Sequence, residues 1–231
     1  LGLSDLDIGL LSSLGMFLQI FTALFGGVII DKLGRNRATV IFDLLSWSVP
    51  CLLWSLAGNF WHFLIAALFA CFAPISSNAI VSLLVEDCPP EKLVSTYALW
   101  SATGYIAAFF APISMLMVDH MGVVPTMRIL YFTMFVMITV KFISFYFLCK
   151  ETKTGRRRMQ ETKGVPLVSA LGGYRAVLGE LLHSPQVRVT LALSVLLNIA
   201  AVVGGNFFAL YVTNMLGVST RALAVFPMLK S

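Results

Sequence analysis

Apolar residues run almost unbroken through six stretches of the chain: Ile8–Ile30, Ala38–Ala57, Phe60–Val85, Tyr97–Val118, Ile129–Cys149 and Val189–Val212. A helix of roughly 20 apolar residues crosses the hydrocarbon core of a bilayer. Polar and charged residues gather in the gaps between the stretches. The pattern therefore predicts an all-α polytopic membrane protein, with short polar loops joining membrane-spanning helices.

Composition strengthens this reading. Of the 231 residues 58% are hydrophobic and 12% charged, where a soluble domain carries about 25% charged residues. Mean hydropathy is +0.89. The length alone would fit one or two soluble domains, but the hydropathy overrides that. The net charge of +5 is not a nucleic-acid signal, because the cations lie in short loops and not along one groove-lining face. Cys51, Cys71, Cys88 and Cys149 sit in or beside apolar stretches, with no metal-ligand spacing and no disulfide framework. Neither an initiator Met nor a signal peptide opens the sequence, so the chain is expected to be a piece of a longer one.

The sharpest motif lies between the first two stretches: Gly27-Val28-Ile29-Ile30-Asp31-Lys32-Leu33-Gly34-Arg35-Asn36-Arg37. Lys32, Arg35 and Arg37 can hold Asp31, and Gly27 and Gly34 leave room for close backbone approach and a sharp reversal. The run resembles the signature loop between the second and third helices of the major facilitator superfamily, Gly-x-x-x-Asp-(Arg/Lys)-x-Gly-Arg-(Arg/Lys). Gly27, Asp31, Lys32, Gly34 and Arg35 match; Asn36 stands where a basic residue is usual, and Arg37 is a candidate substitute. The resemblance implies a partial fold of that family: family helices two to seven, with the start of the eighth. It also implies that an acidic residue after the third stretch, Glu86 or Asp87, pairs with Arg35 as part of a cytoplasmic latch.

Polar residues inside the stretches are the next candidates. The first stretch follows Ser4, Asp5 and Asp7, a cap and two acids suited to a helix N-terminus. It carries Gly15, Gln19, Ala23 and Gly27 at spacing four, a small-residue face on which Gln19 serves an interhelical hydrogen bond or a substrate. Asp43, in the second stretch, is a costly intramembrane carboxylate and hence a functional candidate. It stands roughly two turns from the basic loop, and pairing with Lys32, Arg35 or Arg37 is the favoured reading. Pro50 is expected to bend this helix. In the third stretch, Pro74-Ile75-Ser76-Ser77-Asn78-Ala79 reads as a broken or cavity-facing segment. Asn78 is the leading substrate-contact candidate beside plain helix packing. Pro89 and Pro90 stop that helix.

The fourth stretch, with Ser101, Thr103, Gly104, Ala107, Ala108, Ala111 and Pro112, resembles in part the glycine-rich motif of proton-coupled drug antiporters of the superfamily; small-residue packing is the favoured account. Lys141 in the fifth stretch should face protein or water, because an ammonium in hydrocarbon costs roughly 3 kcal/mol. The run Lys150-Glu151-Thr152-Lys153-Thr154-Gly155-Arg156-Arg157-Arg158 contains Glu-Thr-Lys-x-Gly, weakly similar to a sugar-porter signature without its leading Pro. Leu171, Tyr174, Val177, Leu178, Leu181 and Leu182 predict an amphipathic surface helix over residues 166–183. The sixth stretch carries Asn198, Asn206 and Tyr211 as cavity candidates and Gly204-Gly205 as a flexible point.

Charge bias sets the expected topology. With the Asp31–Arg37 loop inside, Lys32, Arg35, Arg37, Lys92, Lys150, Lys153, Arg156, Arg157, Arg158, Lys163, Arg175 and Arg188 are inside, and only Arg128 and Arg221 outside. The N-terminus then lies outside and the 150–187 linker in the cytoplasm, in a multi-pass plasma-membrane protein. The expected organisation is a five-helix N-terminal bundle over residues 1–149, the linker over 150–187, and the start of a second bundle over 188–231. The resemblance implies secondary transport of a small solute by alternating access, coupled to a proton or other ion or facilitated. Efflux of amphipathic compounds stands beside uptake of sugars or other nutrients, and a non-transporting scaffold or receptor is the rival outside transport. No enzyme is expected: His62, His120 and His183 lie at stretch ends, and no nucleophile–base pair is visible. Neither a cofactor nor a metal is implied; the expected partners are the solute, a coupling ion and the lipid bilayer.

Overall fold

The computed structural model describes residues 5–108, 111–166, 179 and 183–217. Every regular element among them is helical. Helix α1 (Asp5–Leu33) ends at Gly34, where α2 (Arg35–Asp43) begins. A π-turn (Leu44–Ser48) and α3 (Val49–Ser55) continue α2 as one span. Helices α4 (Phe60–Ala70) and α5 (Ala73–Val85) form the next, followed by α6 (Pro90–Ala108), α7 (Ala111–Met121), α8 (Val123–Leu148), the short α9 (Lys153–Glu161) and α10 (Pro185–Asn214).

Four helical segments of the described chain are long and apolar enough to cross a membrane: Gly9–Leu33, Arg35–Ser55, Phe60–Val85 and Val123–Leu148. In lipid each must satisfy its own backbone hydrogen bonds, which is why such runs form helices and nothing else. Their outer faces carry large exposed apolar side chains, among them Phe17, Trp47, Trp61, Phe132 and Phe147. Two local features break the regularity. The π-turn precedes Pro50, which sits in the first turn of α3. Pro74 in the first turn of α5 goes with the interruption of the Phe60–Val85 span at Cys71–Phe72, because proline cannot donate to the preceding turn.

The chain groups into two compact units, residues 1–97 with 121–167 and residues 98–120 with 168–231. The core of the first is Ile30, Ala38, Ile75 and Ala79, with Ile29, Leu33, Phe42 and Phe72 packed around them. Between membrane helices there is no hydrophobic gain from leaving lipid, so close packing of small residues has to hold them. Accordingly Ala38, Ala66 and Ala79 are fully buried. A Cβ on Gly26 would lie 3.4 Å from Ile75 Cγ1. Polar ties add direction: Thr22 Oγ1 donates to Cys71 O at 2.5 Å, and Arg128 Nη2 to Ala57 O at 2.9 Å. In the second unit, α10 follows Ser184 with Pro185 in its first turn. The expected amphipathic helix of residues 166–183 and the start of a further helix after residue 217 fall outside the described residues.

Candidate functional site

The polar groups of the first unit concentrate where α1 meets α2. Gly34 makes the reversal with φ 86° and ψ 156°, backbone values open essentially to glycine alone. It supplies no side chain to cap α2, whose first N–H groups need acceptors. The carboxylate of Glu151 provides them: Arg35 N donates to its Oε1 and Asn36 N to its Oε2, each at 3.0 Å. An acid 116 residues downstream of Arg35 thus caps α2 and meets the positive end of its dipole. Two glycines make room for it. A Cβ on Gly34 would lie 2.6 Å from Glu151 Oε2, and one on Gly155 2.0 Å from Oε1.

Arg35, 5% exposed, joins three elements. Its Nη2 meets Asp31 Oδ1 at 2.9 Å, and its Nε lies 3.0 and 3.2 Å from the two oxygens of Glu86, just past α5. Glu86 also accepts from Thr152 Oγ1 at 2.5 Å. Asp87 does not reach Arg35; it accepts from Lys153 N at 3.2 Å, at the start of α9. Further ties strap α9 to the loop: Thr162 Oγ1 donates to Asp31 O at 3.3 Å, and Lys32 Nζ donates to Val165 O. Asn36 fills the basic position of the motif as a hydrogen bonder, its Nδ2 donating to Cys149 O at 2.6 Å. Arg37 is exposed, and Gly27 is partly buried. The cluster pins α1, α2, α5 and α9 together at one end of the unit.

Asp43 corrects an expectation. The loop cations do not take it. Arg35 is spent on Asp31 and Glu86, and Asp43 lies buried deeper in the span, hydrogen-bonded by Ser76 of α5 and within the field of Lys141 of α8. Lys141, itself exposed, acts on Asp43 only through space. Lys141 Nζ also lies 4.0 Å from the centre of the Phe142 ring.

The remaining candidates are not brought into one place. Gln19 on α1 is partly buried and Asn78 on α5 exposed. Asn198 on α10 turns back onto Ser194 O at 2.9 Å, Tyr211 is exposed, and Asn206 lies in the same helix. A cavity of ≈ 190 Å³ between α3 and α8, lined by Trp54, Phe63, Met127, Arg128 and Tyr131 among others, is smaller than a typical ligand pocket of about 300 Å³ or more. Among the described residues no three His, Cys, Asp or Glu side chains gather as a metal site would need.

Glu151 is the residue that sequence reasoning undervalued. Its signal was the Glu-Thr-Lys-x-Gly run, whose Glu151, Thr152 and Gly155 all meet at the α1–α2 loop. Searches of curated proteins and of solved structures gave no match. The family profile described as Major Facilitator Superfamily matches residues 1–230. The apolar helices, the signature loop and a match across nearly the whole chain lead to one conclusion: this multi-pass membrane protein belongs to the Major Facilitator Superfamily of transporters.

Proposed function

We propose that the chain moves a small solute across the plasma membrane by alternating access, and that Asp31, Arg35 and Glu86 form a cytoplasmic latch favouring the outward-facing state. One observation carries the latch: a guanidinium 5% exposed to solvent holds carboxylates from two different helices, at 2.9 and 3.0 Å. Removing one partner of a fully buried pair costs about 3–5 kcal/mol, an upper bound here because the side chains of Asp31 and Glu86 are 31% and 18% exposed. At that bound a two-state equilibrium shifts by more than a hundredfold. Glu151, Thr152 and Asp87 tie the linker into the same cluster, so opening that end would require their bonds to rearrange together. The inside location of this end follows from the Lys and Arg bias of the loops.

Proton-coupled efflux of amphipathic compounds is the first reading of the transported class. Uptake of a sugar-like nutrient is the second, supported by the seating of Glu151 and Gly155 of the Glu-Thr-Lys-x-Gly run against the signature loop. Expression in cells followed by a drug-resistance assay and a sugar-uptake assay separates the two. In whichever assay responds, Asp31→Asn should cut transport at least tenfold with membrane expression unchanged. Equal transport by Asp31→Asn and the parent would overturn the latch. No flux in either assay, with the protein correctly inserted, would favour a scaffold.

A further inference from the structure

The end of the first unit opposite the Arg35 cluster has a cation of its own. Arg128 and Arg221 are the two cations that the charge bias of the loops leaves at the other side of the membrane. Arg128 lies in the second turn of α8, and its side chain is exposed. One N–H on Nη2 donates to Ala57 O at 2.9 Å, just past the C-terminal end of α3. A guanidinium carries five N–H donors in a fixed fork. Among the described residues no carboxylate pairs with Arg128 and no second acceptor meets the rest of its fork. A long basic side chain near the end of a span reaches toward the headgroup layer.

Arg128 also lines the cavity of ≈ 190 Å³ between α3 and α8. The α8 wall is built at helical spacing, with Val123, Val124, Met127, Arg128 and Tyr131 on one face. Trp54 and Ala57, three residues apart, form the facing wall, and Phe63 of α4 completes the lining. The walls meet where the Trp54 and Tyr131 rings pack with centres 5.2 Å apart. Among the described lining residues Arg128 alone is charged. Val123, Val124 and Met127 are exposed, so the cavity is a groove open along α8. On a membrane span such an opening faces acyl chains, and Trp and Tyr are the residues that gather at the level of the headgroups.

We propose that this groove binds a phospholipid of the leaflet at that end, with the phosphate on Arg128 and one acyl chain laid against Trp54, Met127 and Tyr131. Three observations select this occupant. Apolar walls with a single cation match a molecule in which one anion is joined to hydrocarbon. The remaining donors of the Arg128 fork suit phosphate oxygens, which arginine binds through parallel N–H···O bonds. The volume, below the roughly 300 Å³ of a typical ligand pocket, takes a segment of chain and not a whole solute. The bound lipid bridges α3, α4 and α8, where the Arg128 bond to Ala57 O and the Trp54–Tyr131 ring pair already join two of them.

The more basic end of the unit is a weaker candidate for the same ligand. Arg35 is held by Asp31 and Glu86, and Lys32 bonds to Val165 O. On α9, Arg157 and Arg158 pair with Glu161, and Arg156 donates to Glu151 O. These cations have partners within the protein, whereas Arg128 combines free donors with an apolar groove.

The assignment stands apart from the transport reading, and fluorescence quenching at the groove tests it. The full coding chain is purified in detergent with Trp54 as its single tryptophan. A second preparation keeps Trp47 instead, which is exposed on the same span about 10 Å away along the helix at 1.5 Å per residue. Each is titrated with phosphatidylglycerol carrying brominated acyl chains, which quench a nearby indole, and with a diacylglycerol of the same chains that lacks the phosphate. At Trp54 the phospholipid should reach half-quenching at a concentration roughly tenfold or more below the diacylglycerol, since a charge-assisted bond is at stake. Trp47 should show no such preference. Arg128→Gln should erase the preference at Trp54 and leave quenching by the diacylglycerol unchanged. Equal half-quenching by the two lipids at Trp54, or a preference that survives Arg128→Gln, would overturn the site. The same preference at Trp47 would overturn it too, as a general lipid effect. Inorganic phosphate that relieved the quenching at Trp54 would replace the lipid with a free anion. Should Arg128→Gln fail to fold, the comparison of Trp54 with Trp47 in the unaltered groove decides alone.

Discussion

Glu151→Gln is the perturbation whose cost the structure allows to be worked out most fully. The carboxylate accepts from three backbone N–H groups: Arg35 at 3.0 Å, Asn36 at 3.0 Å and Thr152 at 3.2 Å. Oε1 serves Arg35 and Thr152, and Oε2 serves Asn36. An amide keeps one oxygen and turns the other acceptor into a donor. Either Asn36 N–H, or Arg35 and Thr152 together, would then face an NH₂ group. One buried donor left without an acceptor costs about 1–3 kcal/mol. The lost charge at the N-terminus of α2 adds about 0.3–1 kcal/mol, and up to ~2 in a partly buried setting. Turning the amide over only exchanges which of the two sides faces the NH₂ group. The total is about 2–4 kcal/mol. For a chain of this size that corresponds to a fall of roughly 5–15 °C in melting temperature. Thermal unfolding of the detergent-solubilised protein, followed by intrinsic fluorescence of the four tryptophans, measures it. A melting temperature within about 1 °C of the parent would refute the capping argument, since every term in it would then be absent.

Other substitutions test other parts of the structure. Gly34→Ala should destabilise by about 2 kcal/mol or more from backbone strain alone, and further because its Cβ would lie 2.6 Å from Glu151 Oε2; thermal unfolding and the yield of inserted protein report it. Gly26→Leu should separate α1 from α5 at Ile75, where a Cβ already makes contact at 3.4 Å, and a drop in melting temperature of several degrees is expected. Thr22→Val removes the donor to Cys71 O beside the break between α4 and α5, and should cost about 1 kcal/mol. Protease sensitivity at Cys71–Phe72, compared between this variant and the parent, shows whether the break has loosened.

The charged loop was legible because its chemistry is local. Asp31 and Arg35 stand one helical turn apart, and glycine at position 34 announces the reversal. Pro74 marked the interrupted span for the same reason, since a proline acts on its own turn. The carboxylate that joins Arg35 was narrowed to neighbouring positions; geometry assigns Glu86 to the guanidinium and Asp87 to Lys153 N. What stayed hidden depends on distant pairing. Nothing within a turn of Glu151 shows that it caps a helix beginning at Arg35. The closest cations along the chain leave Asp43 alone, and the group that bonds it, Ser76, comes from another helix. The π-turn after Asp43 leaves no trace in a pattern read at 3.6 residues per turn. The facing of Gln19 and Asn78 was illegible for a physical reason: lipid and helix neighbours are equally apolar, so a membrane helix has no polar side to reveal its orientation.

In the proposed latch the Arg35 cluster closes the cytoplasmic end of the route a solute would take past Asn78 on α5. This closure is tested most directly by placing one cysteine at Asn78 in a protein whose Cys51, Cys71, Cys88 and Cys149 have been replaced by serine or alanine. A membrane-impermeant thiol reagent is then applied to inside-out vesicles. With the latch intact, labelling at position 78 should be slow; with Arg35→Ala it should rise at least tenfold, as the loss of up to about 3–5 kcal/mol of pairing shifts the protein toward the inward-open state. Equal labelling rates with and without Arg35 would contradict the claim.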